Sequence, residues 1–155
     1  MKDSLILDTP EMTAQLARVL GARLKGGDCI LLSGDVGAGK THFARALIQS
    51  LLLLPEDVPS PTFTLVQTYD ASAGPEIWHA DLYRLSDPSE IEELGLLDAI
   101  ENAICLIEWP DRLASLRPED ALDITLTATD VEDTRTLIAT WSDPKWDAKL
   151  TDWKP

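Results

Sequence analysis

Five apolar positions between residues 12 and 24 recur at intervals that place them on one face of a helix. They are Met12, Leu16, Val19, Leu20 and Leu24. Thr9 and Pro10 are residue types favoured at the N-cap and at the first position of a helix. We therefore predict a helix that begins after Thr9 and ends at Gly26-Gly27.

A short apolar run without alternation follows, from Asp28 to Ser33. Such a run predicts a strand that is covered on both faces. A glycine-rich segment comes next, at residues 34–41, and residues 42–53 return to helical spacing. This helix is expected to bury Phe43, Ala46, Leu47 and Ile48. The order strand, glycine-rich loop, helix is therefore predicted.

The rest of the chain contains further strand-like runs and breaks. Three prolines, Pro55, Pro59 and Pro61, predict a loop, and the small residues at 71–75, Ala73 among them, predict a turn. Strands are expected at 64–69, 76–82, 103–107, 122–128 and 134–141, the first two as an antiparallel hairpin. Short helices are expected from residue 89 and over 97–102.

The glycine-rich segment has the spacing Gly-x-x-x-x-Gly-Lys-Thr, from Gly34 to Thr41. Backbone N–H groups in such a loop hold phosphates, and the following helix contributes the positive end of its dipole. Lys40 is expected to reach the β- and γ-phosphates, and the Thr41 hydroxyl to bind Mg²⁺. The predicted nucleotide-binding residues of this segment are Gly34, Asp35, Val36, Gly37, Ala38, Gly39, Lys40, Thr41 and His42.

These elements predict an α/β fold. We expect a single P-loop NTPase-like domain over residues 1–141, with a mixed, mainly parallel central sheet flanked by helices and bordered by antiparallel hairpins. Residues 142–155 show no clear period, so we expect a loosely packed C-terminal tail.

A P-loop needs a second acidic group for magnesium, usually at the end of a neighbouring buried strand. Glu108 follows the apolar residues 104–107 and is the candidate, with glutamate in place of the commoner aspartate. The alternative is that Glu108 is a solvated strand end. We predict that Lys40 and Glu108 are catalytic and that Thr41 and Glu108 are the metal ligands.

Asp81 and Thr62 are further catalytic candidates. Asp81 ends the segment 77–81 and could orient the attacking water or hold magnesium through a water molecule, although a structural ion pair with Arg84 is equally compatible with the sequence. Thr62 lies in a proline-bounded loop of the kind that senses a γ-phosphate in NTPases, or that only forms a turn. Trp109 could stack on the base or belong to the core.

Charge, cysteines and histidines refine the picture. The net charge of −14 argues against unaided binding to nucleic acid or to a membrane.

Cys29 and Cys105 lie in apolar runs and are expected to be buried thiols in a reducing cytoplasm. His42 and His79 are expected to be structural rather than acid–base residues. The guanine-reading sequence Asn-Lys-x-Asp is absent from the sequence, which favours ATP.

Five segments, taken in order, resemble the TsaE (YjeE) family of small bacterial ATPases, which act in threonylcarbamoyl-adenosine modification of tRNA. They are GDVGAGKTHF (34–43), SPTFTLVQTY (60–69), HADLYRL (79–85), ELGL (93–96) and ICLIEWPDRL (104–113). The sequence departs from the family pattern at two places. His42 replaces a common hydroxyl residue, and Gln67-Thr68 replaces a frequent Asn-Glu pair.

The resemblance implies ATP and Mg²⁺ as ligands. It implies that residues 37–41 bind the phosphates, that Thr41 and Glu108 hold the metal, and that Thr62, Asp81 and Trp109 are required beside the nucleotide. It also implies contacts with the base from residues 9–11, including Glu11, and from Arg135 in the C-terminal hairpin.

The resemblance further implies TsaD-type and TsaB-type partner subunits, with tRNA reached only through them. ATP turnover would then reset the partners, which carry out the adenosine chemistry. Two alternatives remain at this point. One is a small-molecule kinase. Such a kinase usually has an arginine-bearing lid, whereas this sequence has only scattered arginines: Arg84, Arg112 and Arg117. The other is a non-catalytic, nucleotide-dependent regulatory subunit.

Overall fold

Seven strands form one sheet in the computed structural model, which describes residues 1–54, 56–72 and 74–155. The strands are β1 (Lys2–Leu7), β2 (Cys29–Ser33), β3 (Val66–Asp70), β4 (Glu76–Asp81), β5 (Ile104–Glu108), β6 (Leu122–Ala128) and β7 (Arg135–Thr140). The helices are α1 (Pro10–Gly21), α2 (Lys40–Leu51), α3 (Ser89–Glu93), α4 (Leu96–Asn102) and α5 (Lys145–Lys149), with a 3₁₀ segment at Pro110–Leu116. Pro55 and Ala73, from the predicted loop and turn, lie outside the described residues.

The strand order across the sheet is β1-β7-β6-β2-β5-β4-β3. The centre is parallel, because β2 pairs in parallel with both β5 and β6, and β5 pairs in parallel with β4. Both sides end in antiparallel pairs: β3 with β4, β6 with β7, and β1 with β7. This arrangement confirms the predicted fold class and the predicted hairpin of β3 and β4.

The central strands are buried on both faces. Along β2, Ile30 and Leu32 pack into one hydrophobic cluster, while Cys29 and Leu31 pack into another. The first cluster contains the apolar faces of α1 and α2, and the second contains those of α3 and α4. Since side chains of a strand alternate between its two faces, the unbroken apolar runs in the sequence reflect a sheet covered by helices on both sides.

Helix α1 begins as predicted but ends earlier. The Thr9 hydroxyl accepts a hydrogen bond from the Met12 N–H at 3.1 Å, which confirms the N-cap. The predicted end at Gly26-Gly27 is wrong, because the helix stops at Gly21. The Gly27 N–H donates to the Ala103 carbonyl at 2.9 Å, so the glycine pair belongs to the connection that leads into β2.

The expectation of a loosely packed C-terminal tail is wrong. Trp146 is completely buried and Trp153 is 3% exposed, and both belong to the cluster that covers α1 and α2. Their indole N–H groups donate to the Asp120 carbonyl at 2.7 Å and to the Leu16 carbonyl at 3.0 Å. Two single aromatic residues among charges produce no periodic signal, although each one buries a large apolar surface.

Both cysteines are free and buried, as expected. Burial raises the pKa of the Cys105 thiol to about 12, so the group stays protonated and behaves as a small apolar side chain. Within residues 1–54, 56–72 and 74–155, no helix has the length and apolar character needed to cross a membrane.

Candidate nucleotide site

A cleft of about 380 Å³ opens at the carboxyl ends of β2, β4 and β5. This edge of an open parallel sheet is where ligands usually bind in α/β folds. The cleft brings together the predicted residues from the P-loop, from the loop at residues 60–62 and from two strand ends. These residues are Asp35, Val36, Gly37, Gly39, Lys40, Thr41, Thr62, Asp81, Glu108 and Trp109.

The glycine-rich loop has the backbone that a phosphate cradle requires. Gly39 is the N-cap of α2 in the left-handed region, at φ 105°, so the helix begins directly at Lys40. Gly34 passes so close to β6 that an added Cβ would lie 2.4 Å from the Leu126 carbonyl oxygen. The loop is thereby held between β6 and α2, with the amino end of α2 facing the cleft.

Lys40 is held over the cleft by the loop itself. Its ammonium group donates to the carbonyls of Gly34 and Asp35, and lies 3.9 Å from the centre of the Trp109 ring. Burial lowers the pKa of Lys40, and the carboxylates of Glu108, Asp81 and Asp35 oppose that shift. Both hydrogen-bond acceptors are uncharged carbonyl groups, so the ammonium group can exchange them for a phosphate anion.

Thr41 and Glu108 meet at the floor of the cleft. The Thr41 hydroxyl lies 2.8 Å from Glu108 Oε1 and 3.1 Å from Oε2. In an octahedral magnesium site with Mg–O distances of about 2.1 Å, neighbouring ligand oxygens are about 3 Å apart. The hydroxyl and the carboxylate therefore fit two adjacent positions around Mg²⁺, and Glu108 is no solvated strand end, since it is 2% exposed.

The rest of a magnesium shell would come from phosphates and water, as is usual for this ion. Among the described residues, no group of three or more His, Cys, Asp and Glu side chains could hold a metal by itself.

Asp81 is the register partner of Glu108 on the parallel strands β4 and β5. Its carboxylate accepts hydrogen bonds from the Thr62 hydroxyl at 3.2 Å and from the Tyr83 N–H at 3.0 Å. In the described part of the chain Asp81 forms no ion pair with Arg84, whose guanidinium instead lies 4.5 Å from the Phe63 ring. The loop at 60–62 is thus linked to the strand end through Thr62.

Trp109 has an unusual backbone, with φ at 57° in the left-handed region. For a bulky residue this conformation costs about 1–3 kcal/mol, and such residues cluster at functional sites. It turns the indole over the cleft, between Lys40 and Tyr83, whose ring centre is 4.9 Å away. Trp109 therefore lines the cleft as well as packing against the core beside it.

A second cleft, of about 270 Å³, lies on the other side of the P-loop, between the start of α1 and the β6–β7 hairpin. Arg135 lines it and donates to the carbonyls of Ala38 at 3.1 Å and Gly37 at 3.4 Å. His42 also lines it, with Nε2 2.9 Å from the Pro10 carbonyl. Glu11 lines neither cleft, and its carboxylate pairs with Arg18 at 3.2 Å.

Sequence reasoning missed two residues that line the nucleotide cleft, and one contact that lies behind it. Tyr83 and Ser60 line it. Each stands two positions from a predicted site residue, Asp81 and Thr62, and that spacing was the available signal. His79 was expected to be structural, yet its Nε2 lies 2.7 Å from Glu108 Oε2.

Comparisons with known proteins agree on one family. The family model described as "Threonylcarbamoyl adenosine biosynthesis protein TsaE" matches residues 7–137. A Rickettsia felis protein named tRNA threonylcarbamoyladenosine biosynthesis protein TsaE is 42% identical over 126 residues, which are 81% of this chain and 73% of that protein.

Two further matches extend the likeness. The Bacillus subtilis protein of the same name is 36% identical over 118 residues, covering 76% of this chain and 72% of its own length. The crystal structure of Bacillus subtilis YdiB superimposes with a TM-score of 0.80, over 99% of this chain and 94% of that chain, at 24% identity. The structural likeness concerns the fold.

Proposed function

This chain belongs to the TsaE family of tRNA threonylcarbamoyladenosine biosynthesis proteins, and from that premise we propose that it binds ATP with Mg²⁺ and hydrolyses the nucleotide in the cytoplasm. The observation that carries the proposal is the contact between Thr41 and Glu108 on the floor of the cleft. Two oxygen ligands at the spacing of a magnesium shell, beside a buried lysine and a helix N-terminus, match the needs of an NTP phosphate chain.

Six side chains of the cleft have a task in this proposal. Lys40 binds the β- and γ-phosphates, and Thr41 and Glu108 hold Mg²⁺. When bound, the metal supplies positive charge to the phosphate oxygens. Asp81, oriented by Thr62, accepts a hydrogen bond from the attacking water and so holds it in line. Trp109 excludes bulk water from the mouth of the cleft.

The cleft between α1 and the β6–β7 hairpin is proposed to receive the base. It adjoins the P-loop through Arg135, and Pro10 and His42 line its other side. Its volume of about 270 Å³ suits one heteroaromatic ring system more than a whole nucleotide.

ATP is expected to bind more tightly than GTP, by a modest factor. The guanine-reading Asn-Lys-x-Asp sequence is absent from the chain, and the side chains lining the proposed base cleft provide limited selectivity: Pro10, Thr13, His42, Asp133 and Arg135. Competition titrations against a fluorescent ATP analogue, with Mg²⁺ present, measure the preference. Equal or tighter binding of GTP would contradict it.

We place the protein with TsaD-type and TsaB-type subunits, which would carry out the tRNA chemistry while ATP turnover resets the assembly. The family name supports a role in this modification. A protein with a net charge of −14 repels the phosphate backbone of tRNA and is attracted to a basic protein face, which supports indirect contact with tRNA.

The isolated chain is expected to hydrolyse ATP slowly and to be stimulated by its partners. A P-loop domain often lacks one element of the transition-state site, such as an arginine finger, that a partner supplies. No arginine lines the cleft in the described residues, so the missing positive charge must come from elsewhere. Steady-state ATPase assays of the chain, with and without a TsaD–TsaB pair, test this expectation.

The same assay at low and high salt has a second expected result. Stimulation should weaken as salt rises, because salt screens the attraction between an acidic protein and a basic face. Robust turnover by the chain alone, unaffected by the pair at either salt concentration, would contradict this expectation and favour a free-standing enzyme.

A further inference from the structure

His79 is a buried histidine with one polar contact. It lies on β4 and is completely buried, and it does not line the nucleotide cleft. Its Nε2 is 2.7 Å from Oε2 of Glu108, which is 2% exposed. Because an ionised carboxylate can only accept hydrogen bonds, the imidazole is the donor. The Glu108 carboxylate is therefore hydrogen-bonded on the side that faces away from the cleft.

The sheet register explains how the two side chains meet. Strands β4 and β5 are parallel, with Asp81 paired to Glu108 and His79 paired to Leu106. His79 precedes Asp81 by two residues, so both point to the same face of the sheet, and His79 lies one step deeper. The Glu108 side chain thus lies between the Thr41 hydroxyl on its cleft side and the His79 ring on its inner side.

Packing alone does not account for a histidine at this position. Nδ1 of His79 has no hydrogen-bond partner among the described residues, so the buried ring keeps one nitrogen unsatisfied. Burying a polar nitrogen without a partner destabilises a protein, and an apolar side chain would avoid that cost. Ile77 and Ala80, which are buried on the same strand and do not belong to the candidate site, are apolar. The hydrogen bond to Glu108 is the one gain that the ring offers in return.

We propose that His79 is a positioning residue that fixes the Glu108 carboxylate in the orientation needed for Mg²⁺. The inference rests on the proposed function. A glutamate is longer and more flexible than an aspartate, so its carboxylate needs a second anchor to stay aimed at the Thr41 hydroxyl. Hydrogen bonds of this kind, made behind a metal ligand, commonly change metal affinity by about 10–100-fold.

Two amide variants test the hydrogen bond while keeping a polar side chain at the position. The amide nitrogen of His79→Gln can occupy the place of Nε2 and still donate to Glu108. His79→Asn is one methylene shorter and cannot reach it. The measurement is the Mg²⁺ concentration at which binding of a non-hydrolysable ATP analogue is half maximal, together with the melting temperature and the affinity for the analogue in EDTA.

We expect His79→Asn to require at least about tenfold more Mg²⁺, and His79→Gln to stay within about threefold of the parent chain. Affinity in EDTA should be unchanged in both variants, because no metal is then held. In a Glu108→Ala background, His79→Asn should cause no further shift, since His79 acts only through Glu108.

The outcomes separate this inference from the proposed function. If the parent chain shows no Mg²⁺-dependent binding, the proposed function fails. The inference about His79 is overturned if the parent chain binds in a Mg²⁺-dependent way but His79→Asn needs the same Mg²⁺ concentration as the parent chain. It is also overturned if His79→Asn raises that concentration equally in the Glu108→Ala background. If His79→Asn and a His79→Leu variant both fail to fold while His79→Gln folds, a structural role accounts for the residue and the inference is likewise overturned.

Discussion

Replacement of Glu108 by alanine is expected to reduce ATP hydrolysis by at least about a hundredfold while leaving nucleotide binding largely intact. The carboxylate lies 2.8 Å from the Thr41 hydroxyl, and the two together are the oxygen ligands proposed for Mg²⁺. Binding relies mainly on the backbone of the P-loop and on Lys40, which the substitution does not touch. A hundredfold loss corresponds to about 2.7 kcal/mol of transition-state stabilisation.

Two further variants make the Glu108 result specific. Glu108→Gln keeps the size of the side chain and removes its charge, so it should lose turnover without the cavity that alanine leaves. Glu101→Ala removes an exposed glutamate from the end of α4 and should turn over like the parent chain. Turnover is measured in the presence of the partner pair, and binding by titration with the non-hydrolysable analogue. If Glu108→Ala hydrolyses ATP as fast as the parent chain, Glu108 is not a metal ligand. Partner binding that depends on ATP but involves no hydrolysis in the parent chain would favour the regulatory alternative.

Trp146→Ala is expected to lower the free energy of unfolding by about 3–5 kcal/mol, the usual range for deleting a large buried aromatic ring. Trp146 is completely buried, and its replacement also removes the hydrogen bond from its indole N–H to the Asp120 carbonyl. For a chain of this size the melting temperature should fall by roughly 10 °C. Chemical denaturation followed by circular dichroism measures the free energy directly.

Trp141→Ala is the matched control for Trp146→Ala. Trp141 is half-buried and donates its indole N–H to Asp147 at 2.8 Å, so its removal should cost clearly less. A stable Trp146→Ala protein would mean that Trp146 contributes little to the core, and an equal loss in the two variants would mean that the effect is not specific to the buried ring.

Much of the fold could be predicted because its central elements have strong local signals. The unbroken apolar runs of β2 and β5 come from strands buried on both faces, and the Thr9-Pro10 pair is sufficient to start α1. β1 was not predicted. It is an edge strand in which Leu7 is the one fully buried residue, so its apolar pattern is weak. α5 was missed because a helix of five residues shows too little periodicity to detect.

The P-loop residues and the strand-end residues Asp81 and Glu108 could be named from the sequence, whereas the contacts between the strands could not. The P-loop is a continuous segment, so its residues could be named together. The pairing of Asp81 with Glu108, and the contact of His79 with Glu108, follow from the parallel register of β4 and β5, which pairs residues 27 positions apart. Nothing local to His79 indicates this contact, because it arises only once the two strands lie side by side.

The contacts between the two ends of the sequence also set an order of events during synthesis. β1 pairs with β7, with Lys2 opposite Thr140, and the Trp153 indole reaches the Leu16 carbonyl across 137 positions of sequence. Contacts of such long range form late in folding. On the ribosome, α1 therefore leaves the tunnel early, and the part of its surface that Trp153 covers stays exposed until the segment around Trp153 is made. A chain released before Trp146 is translated would expose that part of the cluster, and would be a natural target for chaperones and proteases.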